Sequence, residues 1–163
     1  LDFGANPNVV NINSGESPLF IAVKSNYYLI VKTLLNFGAN PNVVDINSGD
    51  SLLFFAVKYN YYSIVELLLN FGANPNVVYI NSDDSVLFFA VKSKKYSIVE
   101  LLLNKNADLH FYNNNESIFQ FIIKNNLTEI INLNKFQQFL AINDIGNKYK
   151  IPECVQNEIN SFL

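Results

Sequence analysis

LLLNFGANPNVV, Leu67–Val78, decides how this chain folds, because its second part returns at a fixed distance. FGANPNVV stands at Phe3–Val10, at Phe37–Val44 and at Phe71–Val78, 34 residues apart each time. A period in this range marks a stacked array of helical units, each too small to bury its own apolar stripe. Phe3–Asn36, Phe37–Asn70 and Phe71–Asn104 align without a gap. The second and third units differ only at Asp45/Tyr79, Gly49/Asp83, Leu52/Val86, Tyr59/Ser93, Asn60/Lys94 and Tyr61/Lys95.

One unit, read in order, dictates its own elements. Ser17-Pro18 starts a helix: the serine accepts bonds from free amides, and proline suits the first helical position. Leu19, Ala22 and Val23 fall at i, i+3 and i+4, one stripe of a short first helix. Asn26 follows where the chain must leave helical geometry, and asparagine tolerates the left-handed region. A second helix is expected over Tyr28–Asn36, with Ile30, Val31, Leu34 and Leu35 as its buried stripe. Gly38 ends it, since glycine reaches positive φ without steric cost. Asn40-Pro41-Asn42 forces extended geometry, and Val43–Asp50 reads as a projecting hairpin-like loop leading to Ser51.

Composition removes several classes of function. The chain has 163 residues, half of them apolar, which is enough for a continuous core. Net charge is −3, without a block of like charge. All the basic residues are lysine, so the forked donor of phosphate and guanine recognition is missing, and nucleic acid is not an expected partner. Cys154 is the only cysteine, which excludes an internal disulfide and points to a reducing compartment, cytoplasmic or nuclear. No apolar run reaches the roughly 20 residues of a membrane span. Leu1-Asp2-Phe3-Gly4 aligns with Leu35-Asn36-Phe37-Gly38, the last turn of a helix, so a preceding helix is expected upstream.

These units resemble the ankyrin repeat. The family's helix-opening Thr-Pro-Leu-His is matched by Ser17-Pro18-Leu19-Phe20, Ser51-Leu52-Leu53-Phe54 and Ser85-Val86-Leu87-Phe88. Its Ile-Val-x-x-Leu-Leu second helix is matched at Ile30–Leu35, Ile64–Leu69 and Ile98–Leu103, and its Gly-Ala-Asp-Pro-Asn at Gly38–Asn42 and its copies. The resemblance implies an all-α solenoid of helix-turn-helix units with projecting loops over residues 1–132. The fourth unit, 105–132, is degenerate, and residues 133–163 are expected to form a C-terminal helical cap with helices near Lys135–Ile142 and Pro152–Leu163. Family members that end in ubiquitin-ligase-recruiting helices suggest an alternative for this tail, weakly matched by Ile151-Pro152-Glu153. Where the family has histidine, this chain has Phe20, Phe54, Phe88 and Gln120, so aromatic stacking is expected to replace the histidine's hydrogen bonds. Lys94 stands in the turn where the family prefers glycine; left-handed geometry there costs about 1–2 kcal/mol relative to glycine.

No residue pattern suggests catalysis. His110 has no acid or nucleophile placed beside it and is assigned to loop or packing, and Cys154 to apolar filling. No Cys/His group has metal-ligand spacing, and no cofactor is expected. Asn115-Glu116-Ser117 and Asn126-Leu127-Thr128 match the glycosylation pattern, as an asparagine-rich chain does by chance. Lys24, Lys58, Lys92 and Lys124 recur seven residues after each capping serine. Neighbours about 10 Å apart repel by only ~0.4 kcal/mol in water, and the row is read as offsetting the negative ends of the first helices rather than as an anion-binding strip.

The expected function is binding another protein, by a monomer, without catalysis or membrane insertion. An enzyme is the alternative of a different class. The differences between near-identical units mark where a partner is met, because residues needed only for folding stay alike. The resemblance places those differences on the face that grips partners. The expected contact surface is Asp45, Asp50, Lys58, Tyr59, Tyr79, Asp83, Asp84, Lys92 and Lys94, with tyrosine as the anchor type.

Overall fold

The structure is a computed structural model, and it describes residues 4–46, 48–79, 82–109, 112–113, 116–125, 127–133, 136 and 138. His110, Cys154, the Asn115 and Asn126 acceptor positions, and nearly all of the expected C-terminal helices lie outside these residues. Each repeat folds as a seven-residue helix followed by a nine-residue one: α1 (Pro18–Lys24) and α2 (Tyr28–Asn36), α3 (Leu52–Lys58) and α4 (Tyr62–Asn70), α5 (Val86–Lys92) and α6 (Tyr96–Asn104). The fourth unit has α7 (Ile118–Lys124) and a shorter α8 (Thr128–Ile131). First helices pack on first helices and second on second, α1 on α3 on α5 on α7 and α2 on α4 on α6 on α8.

The local chemistry is the same in every copy. Ser17, Ser51, Ser85 and Ser117 sit in extended geometry, and their side chains accept from the amide three residues on, at 3.1 Å each time. Asn26, Asn60, Lys94 and Asn106 all have positive φ, between 53° and 62°, the first three where each first helix gives way to the second and Asn106 just after α6. Gly38 and Gly72 end the second helices at φ 83° and 87°. The loops that follow are tight hairpins. Asp45 and Asp50 close one through Asp45 N–H to Asp50 carbonyl at 2.9 Å, and Tyr79 and Asp84 close the next at 2.8 Å. In the fourth unit Tyr112–Asn113 (β1) and Glu116–Ser117 (β2) pair as two short antiparallel strands.

Neighbouring units are joined by their cores and by one repeated polar stitch. The second asparagine of each Asn-Pro-Asn reaches the next unit. Asn42 donates to the Gly72 carbonyl at 3.0 Å, while its Oδ1 accepts from the Asn74 amide at 2.8 Å. Asn8 does the same to Gly38 and Asn40, and Asn76 Oδ1 accepts from Asp108.

The apolar stripe is as expected in the inner units, where Ile64, Val65 and Leu68 and their copies Ile98, Val99 and Leu102 are buried. The expectation for Ile30 is corrected: it is 50% exposed, whereas Ile64 and Ile98 are 1%. The reason is position in the stack, since among the described residues no second helix precedes α2. At the other end Phe136 is wholly buried and stacks on Phe119 at 5.9 Å.

Candidate partner-binding surface

The phenylalanines at the family's histidine position set this surface. Phe20, Phe54 and Phe88 are buried and each meets a ring of the next unit. Phe20 lies edge-on to Phe55 at 5.7 Å, and Phe88 edge-on to Phe121 at 5.2 Å. Phe54 packs against Phe89 at 5.0 Å and lies flat against Tyr79, with centroids 4.4 Å apart and planes 6° from parallel. Aromatic contact therefore takes over the role of the absent histidine, and it fixes Tyr79 in the third loop from below. Lys58 also approaches it, its ammonium 5.5 Å from the ring centre.

The lysines stand in the last turn of each first helix, as expected, and three of them also touch an acid. Lys24 pairs with Glu16 at 2.6 Å, Lys58 with Asp50 at 3.8 Å and Lys92 with Asp84 at 3.2 Å. Each lysine thus bonds an acid that lies eight residues earlier, immediately before the capping serine. The sequence carried this signal as Glu16/Lys24, Asp50/Lys58, Asp84/Lys92 and Glu116/Lys124, and sequence reasoning missed it by reading the lysines alone. The pairs join the loop of each unit to the far end of its first helix. Their strengths differ. Asp84 Oδ2 accepts from both Lys92 and the Ser82 hydroxyl, at 3.2 and 3.0 Å. Asp50 Oδ1 is buried and lacks a hydrogen-bond partner among the described residues. Burial accordingly pushes the Asp50 carboxyl above its ordinary range, with Asp45 adding to the shift and Lys58 opposing it. Lys24 is raised by its hydrogen bond to Glu16.

The nine expected contact residues separate into two groups. Asp45, Asp50, Tyr79, Asp83 and Asp84 stand in the second and third loops, bridged by Lys58 and Lys92. Tyr59 and Lys94 stand at the opposite ends of α3 and α5, about 10 Å away along seven helical residues. Asp50 and Asp84 are only 4% and 3% exposed, so they hold the lysines rather than facing outward. Tyr59, Lys58, Asp83, Lys92 and Lys94 are exposed, and Asp45 and Tyr79 are half-buried. Ser117 and Gln120 form a reciprocal cap that sequence reasoning overlooked, Ser117 N–H donating to Gln120 Oε1 at 2.9 Å. No three His, Cys, Asp or Glu side chains among the described residues group as a metal site.

A family model described as ankyrin repeats (3 copies) matches residues 1–79 and again residues 19–113. The chain belongs to the ankyrin-repeat family. Ankyrin repeats generally mediate protein–protein interaction and are typically not enzymes. No curated protein matches the chain. Among the described residues of this ankyrin-repeat chain, no helix is long and apolar enough to cross a membrane.

Proposed function

We propose that this ankyrin-repeat chain is a binding module that grips a partner protein through its second and third loops and the lysine row between them. The observation that carries this reading is the mounting of Tyr79. It stacks on buried Phe54 and lies beneath Lys58, so its ring is held in place before any partner arrives. A preorganised tyrosine loses little conformational freedom on binding, which is what makes it an effective anchor. Asp83, whose amide donates to the Tyr79 carbonyl, adds negative charge to the same loop, and Lys58 and Lys92 supply cations paired with Asp50 and Asp84. The result is a mixed polar rim around an aromatic centre, the usual anatomy of an interface. Tyr59 and Lys94 extend the surface to the far ends of the first helices.

Residues 133–163 are proposed to act as a structural cap, supported by Phe136, which is fully buried against Phe119. A tail that recruits another protein would have less reason to sink an aromatic ring into the fourth unit.

The test uses two variants that borrow residues from neighbouring repeats. Tyr79→Asp with Asp83→Gly gives the third loop the residues of the second, and Tyr59→Ser with Asn60→Lys and Tyr61→Lys gives the second turn those of the third. Both should retain their circular dichroism. Co-precipitation followed by quantitative mass spectrometry should show one binding partner lost with the loop variant and retained by a Glu66→Ala, Glu100→Ala control. Full retention by the loop variant would place the surface elsewhere.

A further inference from the structure

The turn between α5 and α6 differs from its counterpart in a way that the loop surface does not use. In the second unit this turn is Tyr59-Asn60-Tyr61, and its rings form a cluster: Phe55 to Tyr59 at 4.5 Å, Tyr59 to Tyr61 at 5.9 Å. In the third unit the same three positions are Ser93-Lys94-Lys95. Two rings have gone and two cations have come. Between the two turns lies a groove of about 490 Å³, lined from the second unit by Asn60 and Tyr62 and from the third chiefly by Ser93, Lys94, Lys95 and Tyr96.

We infer that this groove is a binding site for an oxyanion carried by a short acidic peptide of a partner, either a phosphorylated side chain or neighbouring carboxylates. Three observations converge on it. First, Lys94 and Lys95 have no carboxylate within 4.0 Å among the described residues, while Lys24, Lys58 and Lys92 each have one. Second, Lys94 is held at φ 53°, where the equivalent residues Asn26 and Asn60 are of a type that tolerates such geometry. A strained lysine in place of a relaxed asparagine is kept at an energetic cost, and strain of this kind clusters at ligand sites. Third, the nine-residue helix α6 begins in the groove, with Lys95 as its cap residue and no side chain bonded to its first amides. Tyr96 and Ser97 therefore present a helix start, with its partial positive charge, beside two ammonium groups. Ser93, Tyr62 and Tyr96, each with a hydroxyl, are among the other lining residues. The net charge of −3 and the acids of the neighbouring loops disfavour a long polyanion, so the occupant is a short segment of polypeptide. This site lies at the other end of the first helices from Tyr79; it shares only Lys94 with the proposed surface, and a variant at Lys94 and Lys95 leaves the Tyr79 loop untouched, so the two are tested separately.

The experiment is fluorescence anisotropy with the full chain and three labelled peptides of one sequence, carrying phosphoserine, paired glutamates or serine. The comparison protein is the Lys94→Asn, Lys95→Tyr variant, which has the residues of the first turn, Ser25-Asn26-Tyr27, and so a sequence already present on this backbone. The phosphoserine or glutamate peptide should bind the wild-type chain, more weakly as salt rises, and about tenfold or more weakly to the variant. Binding of the phosphoserine peptide alone assigns phosphate; binding of both charged peptides assigns clustered carboxylates. Equal affinity for the serine peptide, equal affinity of the variant, or no binding by any peptide would overturn the site. Displacement of a bound acidic peptide by a short oligonucleotide that binds more tightly would overturn the peptide assignment.

Discussion

The second and third repeats share a scaffold to a degree that turns each into a control for the other. Their capping serines have φ −69° and −67°, their first helices both run seven residues and their second helices nine. Phe54 and Phe88, Ala56 and Ala90, Val57 and Val91 are all buried. Five of the six differences fall in the loop and the turn, and only Leu52/Val86 is in the core. Two of those five place a charged side chain at positive φ, Asp83 at 52° and Lys94 at 53°, where the second unit has glycine and asparagine. Neutral change under a folding constraint favours residues that suit the backbone. These two suit it less well, a contrast that exchanges at Lys94 put to the test.

The shared half of the comparison is broken most severely at Phe54. Its ring is 1% exposed and touches Tyr79 and Phe89 of the next unit, so Phe54→Ala removes an inter-unit contact together with core volume. Unfolding in urea should show a loss of about 3–5 kcal/mol. A loss under about 1 kcal/mol would mean that the units do not couple through this ring. Phe54→His, the family's residue, should recover only part of the loss, because the surroundings, Tyr79 and Phe89, are packed against an apolar ring.

Phe136→Ala tests whether the array ends as its interior does. The ring is fully buried on Phe119, so a loss of about 3 kcal/mol is expected, accompanied by a tendency to associate as the fourth unit is uncovered. An unchanged melting temperature and a monomeric elution profile would remove the cap from the account of stability.

The paired acids sharpen the comparison further, because the same aspartate–lysine pair is built better in one unit than in the other. Asp84→Asn should cost about 1–2 kcal/mol, since it gives up bonds from both Lys92 and Ser82. Asp50→Asn should lie within about 1 kcal/mol of wild type at neutral pH, because the longer contact to Lys58 is offset by burial of an unbonded oxygen. The carboxyl of Asp50 is raised above its ordinary value of 3.8, so the folded chain holds that proton more tightly than the unfolded chain does. Ionised Asp50 therefore opposes folding at neutral pH, and this opposition fades as pH falls through the folded value towards 3.8. Relative to Asp50→Asn, the wild-type chain should gain stability as the pH is lowered across that window. A constant difference between the two would show that the carboxyl is not perturbed.

How much of this was readable in the sequence depends on the range of the interaction. Helix limits, the capping serines, the left-handed Lys94 and the burial of the phenylalanines all followed from local pattern and period. The ion pairs did not, because they join positions eight apart across a change from loop to helix, and neither helical nor strand periodicity relates such residues. Ile30 was misjudged for another reason: its sequence matches Ile64 and Ile98, and only the absence of a described helix in front of α2 exposes it. The expected contact surface joined loop and turn residues because both vary between units. Seven helical residues hold those groups apart, and the groove between the two turns depends on rings missing from one of them, which becomes visible only when neighbours are placed side by side.

The smallest expected effect bears most directly on why the two units differ. Lys94→Gly should raise stability by about 0.5–1 kcal/mol, since it releases a side chain from left-handed geometry and takes nothing from the core; part of the gain from removing strain is offset by the greater freedom of glycine in the unfolded chain. Lys94→Asn should give a comparable gain, as Asn60 occupies the same geometry at φ 62° in the unit before. The opposite substitution, Asn60→Lys, should lose a similar amount. The three melting curves together form a reciprocal exchange at equivalent positions, so errors in the reference state largely cancel. If both exchanges at Lys94 stabilise the chain, the lysine is retained against the preference of its own backbone, and a role in contact with something outside the fold is the remaining reason for it. If neither does, the turn accommodates lysine without strain, and the contrast between the second and third repeats reduces to ordinary surface variation at that position.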